Sequence, residues 1–466
     1  MKITFHGAAR TVTGSKHLIS LVDGRQLLLD CGMFQGMGKE TDEMNKHFGF
    51  EPRQVDAMVL SHAHIDHSGL IPKLVREGFT GRIFCTPATK DLTAILLLDS
   101  AGIQEEDARF INKRRAAQGK PYIEPLYTTQ DAMNAINQLV PVEYGLWFEV
   151  MDNVECMFTD AGHIIGSAVV NLRIKENGKQ TAITFSGDVG RYRDIILRSP
   201  EAFPQADFII MESTYGNSLH DPATTTPDLL LEWIQKACIE NKGKLIMPAF
   251  SVGRTQELLF SLNQLELEHR LPPVEYFVDS PLSMEATTVV KSYPAYFNKT
   301  IQQILKSDHD PFSFKGLNFI QTVDQSKLLN FRNDPIVIIS ASGMAEAGRI
   351  KHHISNNIEN SRNVILMTGY CEPNSLGGRL MAGAKEVSIF GVVHQVNATV
   401  GAMRSLSAHG DYEDLSQWLA CQDPRGVKRL FLVHGEYVVQ TAFRDRLIKK
   451  GFDVEIPDRH ATHGLG

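Results

Sequence analysis

Four side chains able to bind a metal ion fall within six consecutive residues, His62-Ala63-His64-Ile65-Asp66-His67. They follow an apolar stretch, 57–61, whose length and composition favour a strand. A regular strand sends alternate side chains to opposite faces, and a regular helix spreads them around its axis. Neither can aim four groups at one centre, but a tight loop at the end of a strand can. The chain must therefore adopt a fold that delivers this loop to a place where further ligands converge. Imidazoles and carboxylates suit zinc, with manganese or iron as weaker fits.

Short apolar runs closed by polar turns recur at 26–30, 57–61, 82–86, 154–159, 181–186 and 208–211. Later ones lie at 245–248, 274–279, 336–340, 363–368, 386–390 and 429–433. Helical patterns lie between, at 89–99, 129–139, 227–240, 253–267 and 437–450. Alternation of the two predicts an α/β protein. Acidic and histidine residues sit at or just past the strand ends: Asp30, His62 onward, His163, Asp188, Glu212, His409 and His434. Loops at one edge of a sheet could bring them to one point. Taken singly, His163, Asp188 and His434 read equally well as turn residues. The stretch 213–390 supplies none of the candidate metal ligands and reads as an insertion, dividing the chain into 1–212, 213–390 and 391–466.

A chain of 466 residues is long for a single core, in keeping with that division. The six cysteines form no CxxC pair, so reduced thiols are expected rather than disulfides or a thiolate zinc site. Apolar runs such as 94–98 are too short to cross a bilayer, and the start of the chain lacks a secretory pattern. A cytoplasmic protein without membrane association is expected. A net charge of −7 argues against a uniform nucleic-acid coat but leaves room for a local basic groove. The run Lys113-Arg114-Arg115 reads as a solvated helix face.

In combination these pieces resemble the metallo-β-lactamase superfamily: Asp30 after an early strand, the full His-x-His-x-Asp-His motif, then His163, Asp188 and His434. The resemblance implies an αββα sandwich and two zinc ions, with manganese possible. By analogy His62, His64 and His163 hold one ion, Asp66, His67 and His434 the other, and Asp188 bridges them. Asp30 would orient a ligand histidine.

Three further segments are similar to the motifs of the β-CASP group, its nucleic-acid-processing branch: Met211-Glu212-Ser-Thr-Tyr-Gly, Ser407-Ala-His409-Gly-Asp-Tyr412 and Leu432-Val-His434-Gly-Glu436. That branch includes ribonuclease J and the endonuclease subunit of mRNA 3′-end processing. Pro248-Ala-Phe-Ser-Val-Gly-Arg254, Ser340-Ala-Ser-Gly-Met344 with Arg349, and Thr368-Gly-Tyr370 with Arg379 resemble its inserted α/β cap domain. A histidine at 434, as in the RNA-acting members, favours RNA over DNA. The implied activity is a zinc-dependent ribonuclease acting on single-stranded RNA by a two-metal hydroxide mechanism, exo- or endonucleolytic, with protein partners unspecified. Asp66, Glu212 and His409 are the candidate catalytic residues, with His409 as proton donor oriented by Glu212. Ser251, Gly253 and Arg254, at a helix start, and Ser340, Ser342 and Gly343, in a tight turn, are candidate phosphate contacts. Two other readings stand beside this one: a small-molecule ester or thioester hydrolase of the same superfamily, and a non-catalytic RNA-binding scaffold. The insertion and the Ser407-Ala-His409 segment weigh against the first, and the complete ligand set against the second.

Overall fold

The structure is a computed structural model that describes every residue except Met37, Ala223, Thr224, Tyr370 and Arg404, and of Lys39 only the backbone. Tyr370, quoted above beside Thr368, thus lies outside the described residues. The chain forms two compact units: Met1–Tyr192, Ser199–Leu219 and His409–Gly466 make the first, Arg193–Arg198 and His220–Ala408 the second.

The first unit is built on two sheets, each of seven strands among the described residues. One runs in the order Thr462–Gly464, Lys2–Phe5, His17–Ser20, Gln26–Leu29, Ala57–Val59, Arg82–Cys85, Leu139–Pro141. The other runs Val454–Glu455, Arg429–Leu432, Phe208–Met211, Lys179–Phe185, Ala168–Glu176, Val154–Asp160, Trp147–Met151. Each changes from antiparallel to parallel pairing along its width.

Strands such as Gln26–Leu29 and Phe208–Met211 carry unbroken apolar runs because both of their faces are covered. Leu27, Leu29, Val59, Phe158, Ile210 and Phe431 meet in one core between the sheets. The alternate residues Leu28 and Met58 face a second core with Leu74, Leu97 and Ala132 from helices outside the first sheet. Ile209, Leu430 and Leu432 face a third with Trp418, Phe443 and Leu447 outside the other. Two sheets face to face with helices on both outer surfaces is the αββα sandwich.

Among the described residues the second unit has a six-stranded, all-parallel sheet in the order Leu317–Phe319, Glu275–Val278, Ile336–Ser340, Leu245–Pro248, Val364–Met367, Thr399–Ala402. Helices connect its strands, as parallel pairing requires. The hairpin Glu386–Ile389 with Val392–Gln395 stands apart from that sheet. The unit extends to Ala408 because Thr399–Ala402 pairs along Val364–Met367.

The carboxyl ends of the strands position the site. Asp30 and Glu212 directly follow strands of the first unit, His62, Asp188 and His434 lie within three residues of a strand end, and His163 lies in the turn between Val154–Asp160 and Ala168–Glu176. Close backbone packing holds these loops together. A Cβ on Gly32 would lie 1.6 Å from the Asp66 carbonyl oxygen, and one on Gly190 1.8 Å from that of Gly162, so only glycine fits at either point.

Phe158 is fully buried between the sheets. Phe158→Ala is expected to cost about 3–5 kcal/mol, whereas Val22→Ala, at a position 62% exposed, should stay within about 0.5 kcal/mol. Denaturant titration of both variants checks this, and near-equal midpoints would refute the sandwich core.

Candidate metal centre and active site

His62 and His64 leave the strand Ala57–Val59 on an irregular segment, and Ile65–Ser68 then makes a single helical turn that carries Asp66 and His67. Loop plus turn gives the four side chains the directions that neither regular element alone provides. Two donor groups result. In the first, His62 Nε2 and His163 Nε2 each stand 3.2 Å from His64 Nδ1 and 3.5 Å from Asp188 Oδ2. In the second, His67 Nε2 lies 3.2 Å from His434 Nε2 and 3.3 Å from Asp188 Oδ1, and Asp66 Oδ2 lies 3.4 Å from His434 Nε2.

These separations fit a metal ion. Four donors arranged tetrahedrally at about 2.0–2.1 Å from one ion stand about 3.3 Å apart. Donor chemistry points the same way. The Asp30 carboxylate can only accept, so His67 Nδ1, 2.6 Å from Asp30 Oδ2, carries a proton and Nε2 is the nitrogen turned to the donor group. His434 Nδ1 is similarly engaged with the Thr214 hydroxyl at 3.0 Å and His62 Nδ1 with the Ser61 hydroxyl at 3.1 Å. The buried Asp188 Oδ1 has no hydrogen-bond partner among the described residues.

Electrostatics keeps most of the donors in ligating form. Burial, with neighbouring histidines, holds His62 well below the usual imidazole range. Burial likewise brings His64 to about 4. Burial opposes ionisation of Asp66, but the hydrogen bond and charge of His434 and the charge of His67 outweigh it and hold the carboxyl at about 2. Asp188 is held well below the carboxylate range in the same manner, against burial, by His434, His67 and His409. His67 is the exception: the carboxylates of Asp188 and Asp30 outweigh burial and raise it well above 6.5.

Glu212 is fully buried and accepts backbone N–H groups from Val189 at 2.7 Å and Thr214 at 3.2 Å. Its two oxygens lie 3.0 and 3.2 Å from His409 Nδ1. Burial would lower His409, but Glu212 and Asp188 raise it to about 9. The result is a charged, oriented imidazole 3.9 Å from Asp188 and on the more exposed side of the cluster.

Comparison with known proteins agrees with this geometry. The metallo-beta-lactamase superfamily profile matches residues 13–127, the Beta-Casp domain 255–380, and the Zn-dependent metallo-hydrolase RNA specificity domain 393–457. Ribonuclease TTHA0252 of Thermus thermophilus is 35% identical over 456 residues, 98% of each chain. The chain belongs to the β-CASP group of the metallo-β-lactamase superfamily. An RNase J-like protein of Methanocaldococcus jannaschii is 31% identical, covering 95% of this chain and 94% of its own. Transcription termination factor FttA of Pyrococcus abyssi is 29% identical, covering 94% of this chain and 67% of its own. A crystal structure of a protein of unknown function from Enterococcus faecalis superposes with a TM-score of 0.52 over 99% of both chains at 12% identity, a likeness of fold alone. Among the described residues no helix is long and apolar enough to cross a membrane.

Within this β-CASP chain the motifs of the second unit meet at the carboxyl edge of its parallel sheet. The Thr368 hydroxyl donates to Pro248 O at 2.6 Å, and Ala249 N–H donates to Ser340 O at 3.0 Å. The candidate phosphate contacts are only partly open there. Gly253 N–H is capped by Gln256 at 2.7 Å, Arg254 is buried against Glu257 at 2.8 Å, and the Ser340 hydroxyl donates to Asp279 O at 2.8 Å. Ser251 lies 3.4 Å from Ser280, and Gly343 packs under the Phe250 ring. Ser342 is half-buried. Arg349 is tied to Asp279 at 2.6 Å, while Arg379 is exposed on a short helix.

Sequence reading passed over the residues that brace the ligands. Ser61 adjoins one motif and Thr214 lies inside another, but hydroxyls are too common to single out. Lys16 carried no signal at all. It is fully buried, donates to Gly14 O at 3.0 Å and Gly32 O at 2.7 Å, and burial lowers it to about 7. Those loops hold the Asp66 turn through Ser15 N–H to Asp66 O and Cys31 N–H to His67 O, each 2.8 Å.

Glu212→Gln removes the nearest charge that raises His409 and leaves the burial that lowers it. In metal-free protein the His409 pKa should fall from about 9 by more than a unit. A raised histidine stabilises the fold fully below its unfolded value and loses that contribution as pH climbs through the folded value. The variant should therefore lose the part of the stability decline that His409 is expected to give the parent between pH 6.5 and about 9. NMR titration of the imidazole decides, and an unmoved pKa would contradict the pairing.

Proposed function

We propose that the chain is a zinc-dependent ribonuclease that hydrolyses phosphodiester bonds of single-stranded RNA. Two supports stand behind the nuclease class: membership of a group with ribonuclease-named relatives, and a match to an RNA specificity domain. The observation that carries the mechanism is Asp188, whose two oxygens face separate donor groups. We assign His62, His64, His163 and Asp188 to one zinc ion, and Asp66, His67, His434 and Asp188 to a second. The chemistry these ions supply when bound is charge neutralisation on phosphate oxygens and acidification of the attacking water.

The chain's own residues do the rest. Asp30, Ser61 and Thr214 fix the rings of His67, His62 and His434 through their Nδ1 atoms and leave each Nε2 to the donor groups. Glu212 holds His409 Nδ1–H, so the proton that can move to the leaving oxygen is the one on Nε2. Asp66 completes the charge around the attacking water. In the second unit, the turn at Ser340, Ser342 and Gly343 and the helix start at Ser251, Gly253 and Arg254 are read as phosphate contacts, with Ser251 and Ser342 best disposed to make them. We read 213–390, nearly all of which lies in the second unit, as the insertion that selects RNA over small esters.

Three variants and one substrate panel test the scheme. Zinc-loaded protein should cleave end-labelled single-stranded RNA in preference to matched DNA or a thioester, and chelation should abolish cleavage. His409→Ala should keep the parent's metal content while turnover falls by on the order of a hundredfold. His64→Ala should lose metal and activity together, and Asp188→Asn should weaken both ions. Elemental analysis accompanies each assay. Metal loss from His409→Ala would reassign that residue as a ligand, and thioester cleavage without RNA cleavage would favour the small-molecule reading.

A further inference from the structure

The helix Pro87–Ala116 starts at the site and ends far from it. At its start the hydroxyls of Thr86 and Thr89 donate to Gly166 O at 2.6 and 2.8 Å, in the loop that carries His163. Its 30 residues, rising about 1.5 Å each, take the chain on the order of 45 Å away. Buried side chains stop at Ala108. Beyond that point Phe110 is 64% exposed.

The returning loop is folded against this end. Asn112 donates to Ile123 O at 2.9 Å and accepts its N–H at 2.8 Å, and Arg115 Nε donates to Pro121 O at 2.6 Å. Tyr122, 72% exposed, is thereby fixed beside the last turns, with Lys120 in the same loop. Phe110, Lys113 and Arg114 share one helix face by their spacing. Residues 109–120 hold five cations and no acid, in a chain of net charge −7. Arg109 lies 4.0 Å from Glu106, while Lys113, Arg114 and Lys120 have no carboxylate partner among the described residues. Cations in the last turn complement the helix dipole. That accounts for the run at 113–115, but not for Lys120 or for two large exposed rings.

We propose that this helix end, with its returning loop, docks the part of a single-stranded RNA that lies away from the point of cleavage. Charge complementarity selects a polyanion, and exposed rings interleaved with cations select unpaired bases, which stack on aromatic faces while phosphates meet lysine and arginine. The inference rests on the RNA reading above. A strand stacked at about 3.4 Å per nucleotide needs on the order of a dozen nucleotides to span the helix, so the surface acts only on long RNA.

The test uses two variants of the zinc-loaded protein, Lys113→Ala/Arg114→Ala/Lys120→Ala and Phe110→Ala/Tyr122→Ala. Unfolding midpoints and metal content are checked first. Binding of labelled RNA of about 6 and about 30 nucleotides is then measured by anisotropy over a salt series. The cation variant should reduce the long-over-short affinity ratio on the order of tenfold and flatten the salt slope by about two, at about 0.7 per lost phosphate contact. The ring variant should reduce the same ratio severalfold at unchanged slope. A ratio that neither variant moves overturns the proposal, even if cleavage persists. RNA binding without cleavage in the parent would sink the ribonuclease reading while the docking comparison still decides. A parent that binds no RNA overturns both. Cation-dependent binding to phosphatidylglycerol vesicles in place of RNA would make the partner a membrane and equally overturn it.

Discussion

Asp188 is surrounded by five imidazoles, with nitrogens of His62, His67, His163, His409 and His434 between 3.3 and 3.9 Å from its carboxylate. A buried carboxylate costs several kcal/mol unless partners compensate it closely. Those partners come from separate loops spread over the sequence from 62 to 434. The compensation therefore holds only if the fold brings the loops to within a few tenths of an ångström. Gly32 and Gly190 show how: at both points one backbone lies where a side chain would otherwise be. Lys16 serves the same end from beneath, tying two loop carbonyls together through its buried Nζ. Breaking any of these leaves a charge in the core without its counterweight, which is why stability and site geometry are bound together in this unit.

The sandwich supplies what Asp188 requires. Strands covered on both faces can be short and still be rigid, because Leu27 and Leu29 anchor in one core while Leu28 anchors in another. A strand of four residues held on both sides defines the direction of the residue that follows it. Asp30 and Glu212 take their positions this way, His434 follows its strand one residue further on and His62 two, and Asp30 and His434 have the additional constraint of a positive φ. Ligands on longer, freer loops would pay rotamer and backbone entropy to converge.

Much of this was legible in the sequence. The twelve short apolar runs closed by polar turns all became strands, and the metal motif stood out because four ligands in six residues have no structural use that a common loop would share. Elements with interrupted patterns were missed. Ala168–Glu176 is a nine-residue strand whose Asn171 and Arg173 break the apolar run, yet Asn171 is buried and bonded to Met157 O and the hydroxyls of Thr159 and Thr184. The helix read at 89–99 extends to Ala116 because Ala101 and Ala108 continue its buried stripe with small residues that carry little periodic signal. Strand pairing is likewise invisible locally: nothing in Thr399–Ala402 announces a place beside Val364–Met367. The residues that brace a ligand, Ser61, Thr214 and Lys16, become visible only through their distances.

The electrostatics of the first unit assign different work to different cations. The site gathers Asp30, Asp66, Asp188 and Glu212 at one edge, so a phosphodiester meets negative charge there unless it is neutralised on the spot. Side-chain cations at the far end of the helix Pro87–Ala116 cannot do this. They are on the order of 45 Å from its start, several Debye lengths of about 8 Å at physiological salt. At that distance they can hold a flexible polyanion by direct contact but cannot alter the energy of a charge developing at the site. Neutralisation during hydrolysis must come from groups within the donor clusters, where His67 and His409 are the raised imidazoles and the two sets of donors have the spacing for metal ions. Retention of the RNA and lowering of the barrier are thus physically separable in this unit, because solvent screening prevents one set of charges from serving both.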